Sequence, residues 1–302
     1  MIAEFKTTNL DIKKNFPMKD YTTIKVGGAA SCLIYPNSLD DFINLLNQLH
    51  NKNQPFLVLG AGSNTIISDK GIKKIIISTR KLKKFAINEN NLTVKAECGA
   101  MLSSIMNNSI KLGLSGFEFA AGIPGTVGGG IYMNAGANGG EIKDCLKEVY
   151  IWHKGKEKKI KRKDINFEYR KSNLPGGSIV TRAVFQLKKG NKDELEKNIK
   201  SYLEYRNKTQ PVKWANTGSI FKNPKEIPAG KLLEELGFKG FSIGGAKFSD
   251  LHANFIVNFN NAKAKDVITL INEAKNKAYD NRNIELETEV EIIEEDNFLN
   301  EK

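Results

Sequence analysis

Two glycine-rich stretches are the places in this sequence where bare backbone could do chemistry. The first is Gly60-Ala61-Gly62-Ser63-Asn64, directly after an apolar run, and the second is residues 121–141, which hold eight of the 26 glycines. In the first stretch, successive N–H groups exposed by Gly60, Gly62 and Ser63 could form an anion-binding nest for a pyrophosphate. A plain tight turn is the alternative interpretation.

The second stretch is folded backbone rather than a flexible linker, because linkers are polar and this stretch interleaves Ile123, Val127 and Ile131 with its glycines. Two glycine-rich loops can hold one long diphosphate cofactor from both sides, since glycine allows the backbone to approach closely. The apolar residues between the glycines would then line a flat ring system. A structural corner with β-bulges is the alternative.

The usual dinucleotide-binding fold is excluded by the residues directly after the first stretch. Its fingerprint, G-x-G-x-x-G, needs a third glycine and then a helix, whereas Thr65 stands at the third position here. Residues 66–71 predict a turn into another strand. The glycines therefore indicate either a different kind of phosphate-binding backbone or a purely structural turn.

The elements that must position these loops can be predicted from local patterns. Ser38 is a typical N-cap before the acidic Asp40 and Asp41, and apolar residues recur at helical spacing from Phe42 to Leu49, which predicts a helix. Further helices are predicted near residues 101–112, 193–206, 230–237 and 262–279. Strands are predicted at residues 56–59, 73–78, 92–98, 148–152, 179–187, 254–259 and 284–293. This mixture is typical of an α+β protein, with a hinge expected at Gln210-Pro211 because the residue before proline resists the helical region.

The net charge of +12 comes almost entirely from lysine, since only six of the 46 basic residues are arginines. Proteins that read nucleic acid interleave arginine with exposed aromatic residues, and no such run occurs. We therefore expect no nucleic-acid partner. Lysine spread over the surface is typical of a solvated face, and it would also steer a polyanionic small substrate towards the protein.

The three cysteines, Cys32, Cys98 and Cys145, lie far apart without a C-x-x-C pair, which predicts reduced thiols, no disulfide and no metal site. The first twenty residues lack the apolar core of a signal peptide. No window approaches the roughly 20 apolar residues of a membrane span. We therefore expect a cytoplasmic protein without a membrane partner.

Five motifs occur in an order that resembles one enzyme family over essentially the whole chain. They are VLGAGSN at 58–64, GIPGTVGG at 122–129 with Asn134-Ala135-Gly136, YRKS at 169–172, GSIFKNP at 218–224 and LETEV at 286–290. Each motif alone is weak. Together they resemble the UDP-N-acetylenolpyruvoylglucosamine reductase (MurB) family.

The resemblance implies an α+β protein with a two-subdomain FAD-binding fold of the p-cresol-methylhydroxylase type and a C-terminal α/β substrate-binding domain. The corresponding boundaries are residues 1–79, 80–192 and 193–302. The implied cofactor is non-covalent FAD, held by the two glycine stretches. Its binding positions are Gly60, Ala61, Gly62, Ser63, Asn64, Gly122, Ile123, Pro124, Gly125, Thr126, Gly128, Gly129 and Gly136.

The activity that the resemblance implies is a step of peptidoglycan precursor synthesis. Members of this family reduce the enolpyruvyl ether of UDP-N-acetylglucosamine to UDP-N-acetylmuramate, with NADPH as the co-substrate and FAD as the hydride carrier. We expect this chain to be such an oxidoreductase, acting as a monomer in the cytoplasm. Substrate diphosphate contacts are implied at Lys208, Lys222 and Asn223.

The resemblance also assigns catalytic roles to three residues that spacing alone does not single out. Arg170 corresponds to the catalytic arginine, whose guanidinium can hold a carboxylate bidentately; without the match it reads as a surface ion pair. Ser219 corresponds to the proton donor, whereas a serine after glycine is by itself typical of a cap or turn. Glu289 corresponds to the carboxylate that assists protonation. Alternation over residues 284–292 would otherwise put four glutamates on one solvated strand face.

Some features depart from the family or leave a choice open. The stretch between Arg170 and Ser219 is too short for the tyrosine-bearing insertion of some members, so a tyrosine lid is not expected. His252 fits a family segment either as a structural residue or as a substrate contact. An FAD-dependent oxidase of the same fold is the alternative function. Such oxidases often attach the flavin through His or Cys near the glycine loops, where Cys98 is the only thiol and no histidine occurs between His50 and His153.

Overall fold

The computed structural model describes residues 10–294, so the outer ends of the first and last predicted domains lie outside the described residues. The first part of the chain contains β1 (Leu10–Pro17), β2 (Ala29–Pro36), α1 (Leu39–Asn51), β3 (Phe56–Leu59), β4 (Thr65–Ile67) and β5 (Ile72–Ser78). Its sheet has the order β1-β2-β5-β3, with β2 and β3 parallel to β5. Helix α1 therefore connects two parallel strands, and the first glycine loop leaves the sheet at the end of β3.

Helix α1 begins where the sequence predicts it. The Ser38 side chain accepts the N–H of Asp41, so it caps the first turn as expected. The apolar face of α1, with Phe42, Leu46 and Leu49, is fully buried. This face packs in one continuous core with residues of the middle part of the chain.

The middle part contains β6 (Phe85–Asn88), β7 (Thr93–Glu97), α2 (Leu102–Lys111), β8 (Leu114–Ser115), α3 (Val127–Tyr132), β9 (Gly136–Ala137), β10 (Gly140–Glu141), α4 (Ile142–Cys145), β11 (Leu146–His153), β12 (Lys156–Lys161), β13 (Phe167–Glu168), β14 (Lys171–Ser172), β15 (Ile179–Gln186) and β16 (Lys188–Lys189). An antiparallel sheet of order β12-β11-β15-β7-β6 forms its frame. The second glycine stretch lies on this frame and includes the short helix α3.

Helix α3 was not predicted, because its sequence VGGGIY has three glycines in a row and glycine is a poor helix former. Tertiary contacts overcome that propensity. Val127 and Ile131 are fully buried one turn apart, and the Thr126 hydroxyl accepts the N–H of Gly129 at the first turn.

The last part contains α5 (Lys192–Thr209), β17 (Ala215–Ser219), α6 (Ala229–Glu235), β18 (Ser242–Ile243), β19 (Ala246–Phe248), β20 (Phe255–Asn258), α7 (Ala264–Arg282) and β21 (Glu291–Ile293). Its antiparallel sheet has the order β17-β20-β19-β18, and α6 and α7 share a core with it. Strand β21 returns to the first part and pairs in parallel with β4. The predicted helices are thereby confirmed, with ends shifted by up to three residues.

The strand predicted at residues 284–293 is wrong for all but its last three residues. The chain leaves α7 through Asn283 in the left-handed conformation (φ 51°) and then runs irregularly until β21. Before β21, the described chain pairs in this segment only through an isolated bridge between Thr288 and Phe221, so no strand ladder forms. The four glutamates do not share one solvated face: Glu285 and Glu287 are exposed, whereas Glu289 and Glu291 are half-buried.

Two further structural facts bear on the predicted function. No helix in residues 10–294 combines the length and the apolar character needed to cross a membrane. All three cysteines are buried free thiols, and the described part of the chain contains no cluster of three or more His, Cys, Asp or Glu suited to a metal ion.

Candidate active site

The first glycine loop, residues 60–64, turns its carbonyl groups into the protein. Four of these carbonyls accept hydrogen bonds, from Tyr21 Oη to Gly60 (2.6 Å), Arg80 Nη2 to Ala61 (2.6 Å), Thr23 N to Gly62 (3.1 Å) and Glu291 N to Asn64 (3.0 Å). The N–H groups of residues 61–64 have no acceptor anywhere in residues 10–294. A row of fixed, unpaired N–H groups attracts an anion, so the geometry favours the nest over a plain turn.

Tyr21 and Arg80 hold this loop in shape. Tyr21 is buried, and its hydroxyl also lies 2.7 Å from Ser78 Oγ. Burial raises the pKa of Tyr21, so the phenol stays a neutral donor. The Arg80 guanidinium stacks 3.6 Å above the centre of the Tyr21 ring and donates to the Tyr21 carbonyl (2.5 Å). Sequence reasoning missed both residues, although the rarity of arginine could have drawn attention to Arg80.

The second glycine loop, residues 122–129, touches the first. A Cβ placed on Gly60 would lie 2.5 Å from Thr126 Oγ1, so the two loops meet at these residues with no space for a side chain. The N–H groups of Gly122, Gly125 and Thr126 have no acceptor among residues 10–294. Both loops therefore present unpaired N–H groups close to one contact point.

The glycines of the second stretch are needed for different reasons. A Cβ on Gly128 would lie 3.2 Å from Cys98, and a Cβ on Gly136 would lie 2.6 Å from Gly140 O, so the protein's own packing requires both. By contrast, a Cβ on Gly125 or Gly129 would meet only ordinary contacts at 3.6 Å or more. Neither of these two has a positive φ. The protein's own packing therefore does not require these two glycines, whereas close approach of a cofactor such as FAD to the backbone would.

Arg170 lies at the tip of a hairpin formed by β13 and β14 and is held there in an unusual conformation. Its φ is 56°, in the left-handed region that non-glycine residues avoid at a cost of about 1–3 kcal/mol. Its Nε donates to Glu289 Oε1 (2.9 Å), and both side chains are less than one-fifth exposed. The terminal nitrogens have no partner within residues 10–294, so the fork remains available for a substrate carboxylate.

Two hydrogen bonds tie the Arg170 hairpin to the second glycine stretch. Nδ2 of the fully buried Asn134 donates to the Glu168 carbonyl (3.0 Å), and Ser172 Oγ donates to the Tyr132 carbonyl (2.9 Å). In the sequence, Asn134 is visible only as part of a motif, and nothing there indicates its function. The structure shows that it positions the hairpin.

Ser219 ends β17, directly after a β-bulge that includes Gly218 (φ 80°). No residue in the described part of the chain hydrogen-bonds its hydroxyl, so it is not the capping residue that its sequence context suggested. The carbonyl of the next residue, Ile220, accepts the N–H of Glu289 (2.8 Å). This pairing brings together Ser219, Glu289 and, through its ion pair, Arg170.

Asn64 joins these predicted catalytic residues to the first glycine loop. Its Nδ2 donates to the Glu289 carbonyl (3.0 Å), while its own carbonyl accepts the N–H of Glu291 (3.0 Å). The predicted cofactor loop and the predicted acid are therefore direct neighbours.

The charges around Glu289 compete. Burial raises the pKa of its carboxyl group, and the nearby Arg170 and Lys222 lower it, with burial as the largest effect. Burial also raises the pKa of Glu291. Lys222 itself forms an ion pair with Glu287. Glu289 therefore keeps its proton to a higher pH than an ordinary glutamate.

The other predicted residues have clear surroundings. Lys208 is exposed in the last turn of α5. Asn223 Oδ1 accepts the N–H of Ala229 (3.0 Å) at the start of α6, so only its amide NH₂ group is free for a substrate. His252 accepts the N–H of Asn254 (3.2 Å) on Nδ1, and its ring packs against Gly230, which favours the structural interpretation.

Comparisons with known proteins agree in naming one family. A sequence profile described as "UDP-N-acetylenolpyruvoylglucosamine reductase, C-terminal domain" matches residues 210–293, and an "FAD binding domain" profile matches residues 30–156. The UDP-N-acetylenolpyruvoylglucosamine reductase of Syntrophus aciditrophicus is 40% identical over 93% of this chain and 91% of its own length. That of Petrotoga mobilis is 43% identical over 93% and 94%.

A solved structure supports the same relationship. The crystal structure of UDP-N-acetylenolpyruvylglucosamine reductase (MurB) from Thermus caldophilus superposes with a TM-score of 0.80 at 34% identity. The match covers 94% of this chain and 98% of that one. The expected α+β fold, with an FAD-binding part followed by a separate C-terminal domain, is confirmed.

Proposed function

Since the chain belongs to the UDP-N-acetylenolpyruvoylglucosamine reductase family of oxidoreductases, we propose that it reduces the enolpyruvyl ether of UDP-N-acetylglucosamine to UDP-N-acetylmuramate with NADPH. One observation carries this proposal: the ion pair of Arg170 with Glu289 lies beside Ser219 and is joined by Asn64 to the first glycine loop. A cation, an acid and a hydroxyl thus meet at the edge of a phosphate-binding backbone.

The two glycine loops would hold FAD through the unpaired N–H groups of residues 61–64 and of Gly125 and Thr126. When bound, FAD would supply the hydride chemistry that connects NADPH with the enolpyruvyl carbon. In this proposal the cofactor-binding parts are residues 1–79 and 80–192, and residues 193–302 bind the substrate.

Arg170 binds the carboxylate of the enolpyruvyl group. Its Nε is already used by Glu289, so the guanidinium is fixed before the substrate arrives and offers its two terminal nitrogens. Hydride addition to an enol ether places negative charge on the neighbouring carbon and its carboxylate. The guanidinium of Arg170 is always charged, so it interacts more strongly with this negatively charged intermediate than with the neutral carbon of the substrate. Such preferential stabilisation lowers the barrier to hydride addition.

Ser219 delivers the proton to the carbon that does not receive hydride. A serine hydroxyl is a weak acid, so it needs positive charge or a neutral acid nearby. Arg170 and Lys222 supply positive charge around Glu289, and burial raises the pKa of its carboxyl group above the ordinary value, which makes Glu289 easier to protonate than an exposed glutamate. Lys222 and the more exposed Lys208 would contact the substrate diphosphate, with Asn223 contributing its free amide group.

The reaction is expected in the cytoplasm, where NADPH is available, with the protein acting as a monomer. The test is direct: the purified protein should be yellow and should release free FAD on denaturation. Without the UDP-sugar enol ether it should oxidise about one equivalent of NADPH under anaerobic conditions, and continuous NADPH oxidation should require the enol ether, with UDP-N-acetylmuramate identified by mass.

Oxygen uptake without the enol ether would instead favour the FAD-dependent oxidase. Covalent attachment of the flavin through Cys98 has little support, because this thiol is almost fully buried and burial raises its pKa, which leaves it protonated. A colourless protein without NADPH oxidation would contradict the proposed reduction.

A further inference from the structure

Arg206 differs from every other arginine of the chain. The guanidinium groups of the other five donate to carbonyls or carboxylates of the protein: Arg80, Arg162, Arg170, Arg182 and Arg282. Within residues 10–294, the guanidinium of Arg206 meets neither a carboxylate nor a carbonyl acceptor. It is therefore the one arginine whose guanidinium has no hydrogen-bond acceptor in the described protein.

Arg206 is half-buried. Burial lowers the pKa of Arg206, and no neighbouring carboxylate among the described residues opposes the effect. A partly desolvated guanidinium without a protein acceptor keeps its donors available for an anion that binds beside it. An anion from outside the chain is the simplest partner.

The position of Arg206 identifies where that anion would lie. Arg206 stands in the last turn of α5, and its side chain lies across Gly122 of the second glycine loop. A Cβ on Gly122 would be 2.5 Å from Arg206 Cδ and 2.9 Å from Nε. Gly122 has φ 77° and an N–H group without an acceptor in the described chain. The loop and the arginine thus offer unpaired donors at one place.

A second observation also indicates a ligand near this part of the chain. Only three buried side-chain atoms in residues 10–294 lack a hydrogen-bond partner, and two of them, Gln210 Oε1 and Thr217 Oγ1, belong to the short segment that leads from Arg206 to Ser219. Buried polar atoms are rarely left unpaired unless a ligand or water completes them. Of the two, the Thr217 hydroxyl can donate to an anion, whereas Gln210 Oε1 only accepts and is completed by a donor such as water.

We propose that Arg206 is a ligand of a diphosphate bound against Gly122, an assignment that rests on the proposed function for the identity of the diphosphate. A guanidinium fork matches phosphate oxygens bidentately. Two molecules of the proposed reaction carry a diphosphate, FAD and the UDP-sugar. The experiment separates them.

The test compares Arg206→Met with the wild type and with Arg282→Met, a control that removes an exposed surface ion pair with Glu235. Three quantities are measured: the melting temperature of the FAD-free protein, the FAD dissociation constant from flavin fluorescence, and the UDP dissociation constant of the FAD-loaded protein from calorimetry. Arg206→Met should keep or raise the melting temperature, because methionine retains the apolar length without the unpaired charge. One dissociation constant should rise roughly tenfold to hundredfold, as loss of a charge-assisted hydrogen bond predicts.

A weaker FAD affinity assigns Arg206 to the FAD diphosphate. A weaker UDP affinity with unchanged FAD affinity assigns it to the substrate diphosphate. Both constants within twofold of the wild type would overturn the proposal. If the methionine variant does not fold, Arg206→Lys decides, since lysine keeps the charge but loses the fork: a loss of about fivefold or more in one constant supports the proposal, and wild-type values for both overturn it. A wild-type protein that binds neither FAD nor UDP contradicts the proposed function itself.

Discussion

Replacing Ser219 by alanine separates the two halves of the proposed reaction. The hydroxyl has no hydrogen-bond partner in the described chain, so its removal leaves no protein group unpaired, and the free energy of unfolding should change by less than about 0.5 kcal/mol. Reduction of the flavin by NADPH does not use the hydroxyl proton of Ser219, so it should proceed nearly as in the wild type. Reoxidation by the UDP-sugar enol ether should slow by ~10²- to 10⁴-fold, the usual contribution of a general acid.

Anaerobic rapid mixing measures both halves through flavin absorbance. Ser249→Ala is the matched control, because Ser249 is a buried serine of the same domain whose Oγ accepts the N–H groups of Leu251 (3.1 Å) and His252 (3.4 Å). That variant should lose about 1 kcal/mol of stability, as for a lost cap, and keep both rates. Equal slowing of the two half-reactions in Ser219→Ala, or undiminished reoxidation, would refute the proton-donor role.

The glycine loops and the ion pair allow three more predictions. Gly125→Ala should leave the melting temperature of the FAD-free protein unchanged, because the protein has room for the methyl group, but it should weaken FAD binding. Gly60→Ala should lower both the melting temperature and the FAD affinity, because its Cβ would lie 2.5 Å from Thr126 Oγ1. Wild-type FAD affinity in Gly125→Ala would contradict the role of this loop in binding FAD. Arg170→Lys should reduce turnover by ~10²- to 10³-fold, since an ammonium cannot replace the fork, and an unchanged turnover number would remove the residue from the mechanism. The rate of flavin reoxidation should fall as pH rises through the raised pKa of Glu289, because the carboxyl group then loses its proton, and Glu289→Gln should abolish this dependence. A rate that rises over the same pH range would show that Glu289 acts in its deprotonated form.

Sequence patterns predicted those elements whose signals are local. The helix after Ser38 needs only a cap, an acidic first turn and an apolar face, and all three are present within 12 residues of chain. The strand prediction for residues 284–290 failed because the signals that decide this segment are not local. Its alternating glutamates imitate a strand, but the hydrogen-bond partners of its backbone, such as Ile220 and Asn64, lie far away in sequence. Such partners decide the conformation, and no local pattern records them.

The candidate site shows the same limit at the level of single residues. The glycine loops could be predicted, because a high local content of glycine is visible in the sequence itself. Tyr21, Arg80 and Asn134 could not, because each acts by donating to a particular backbone carbonyl, and a residue type does not tell which carbonyl it will reach. The left-handed φ of Arg170 was equally hidden, since glycine or asparagine is the usual choice for that conformation.

The strained conformation of Arg170 depends on contacts that join the proposed catalytic side chains to both glycine-rich stretches. A left-handed residue persists only when its surroundings favour it over the relaxed alternatives. Here the hairpin is held by the bonds from Asn134 and Ser172, each contributing about 1 kcal/mol, and the side chain is held by Glu289. Glu289 is in turn fixed by Asn64. The first glycine loop therefore anchors Glu289, and the second glycine-rich stretch anchors the Arg170 hairpin. A displacement of either one would change the position of the guanidinium relative to the carboxyl group of Glu289.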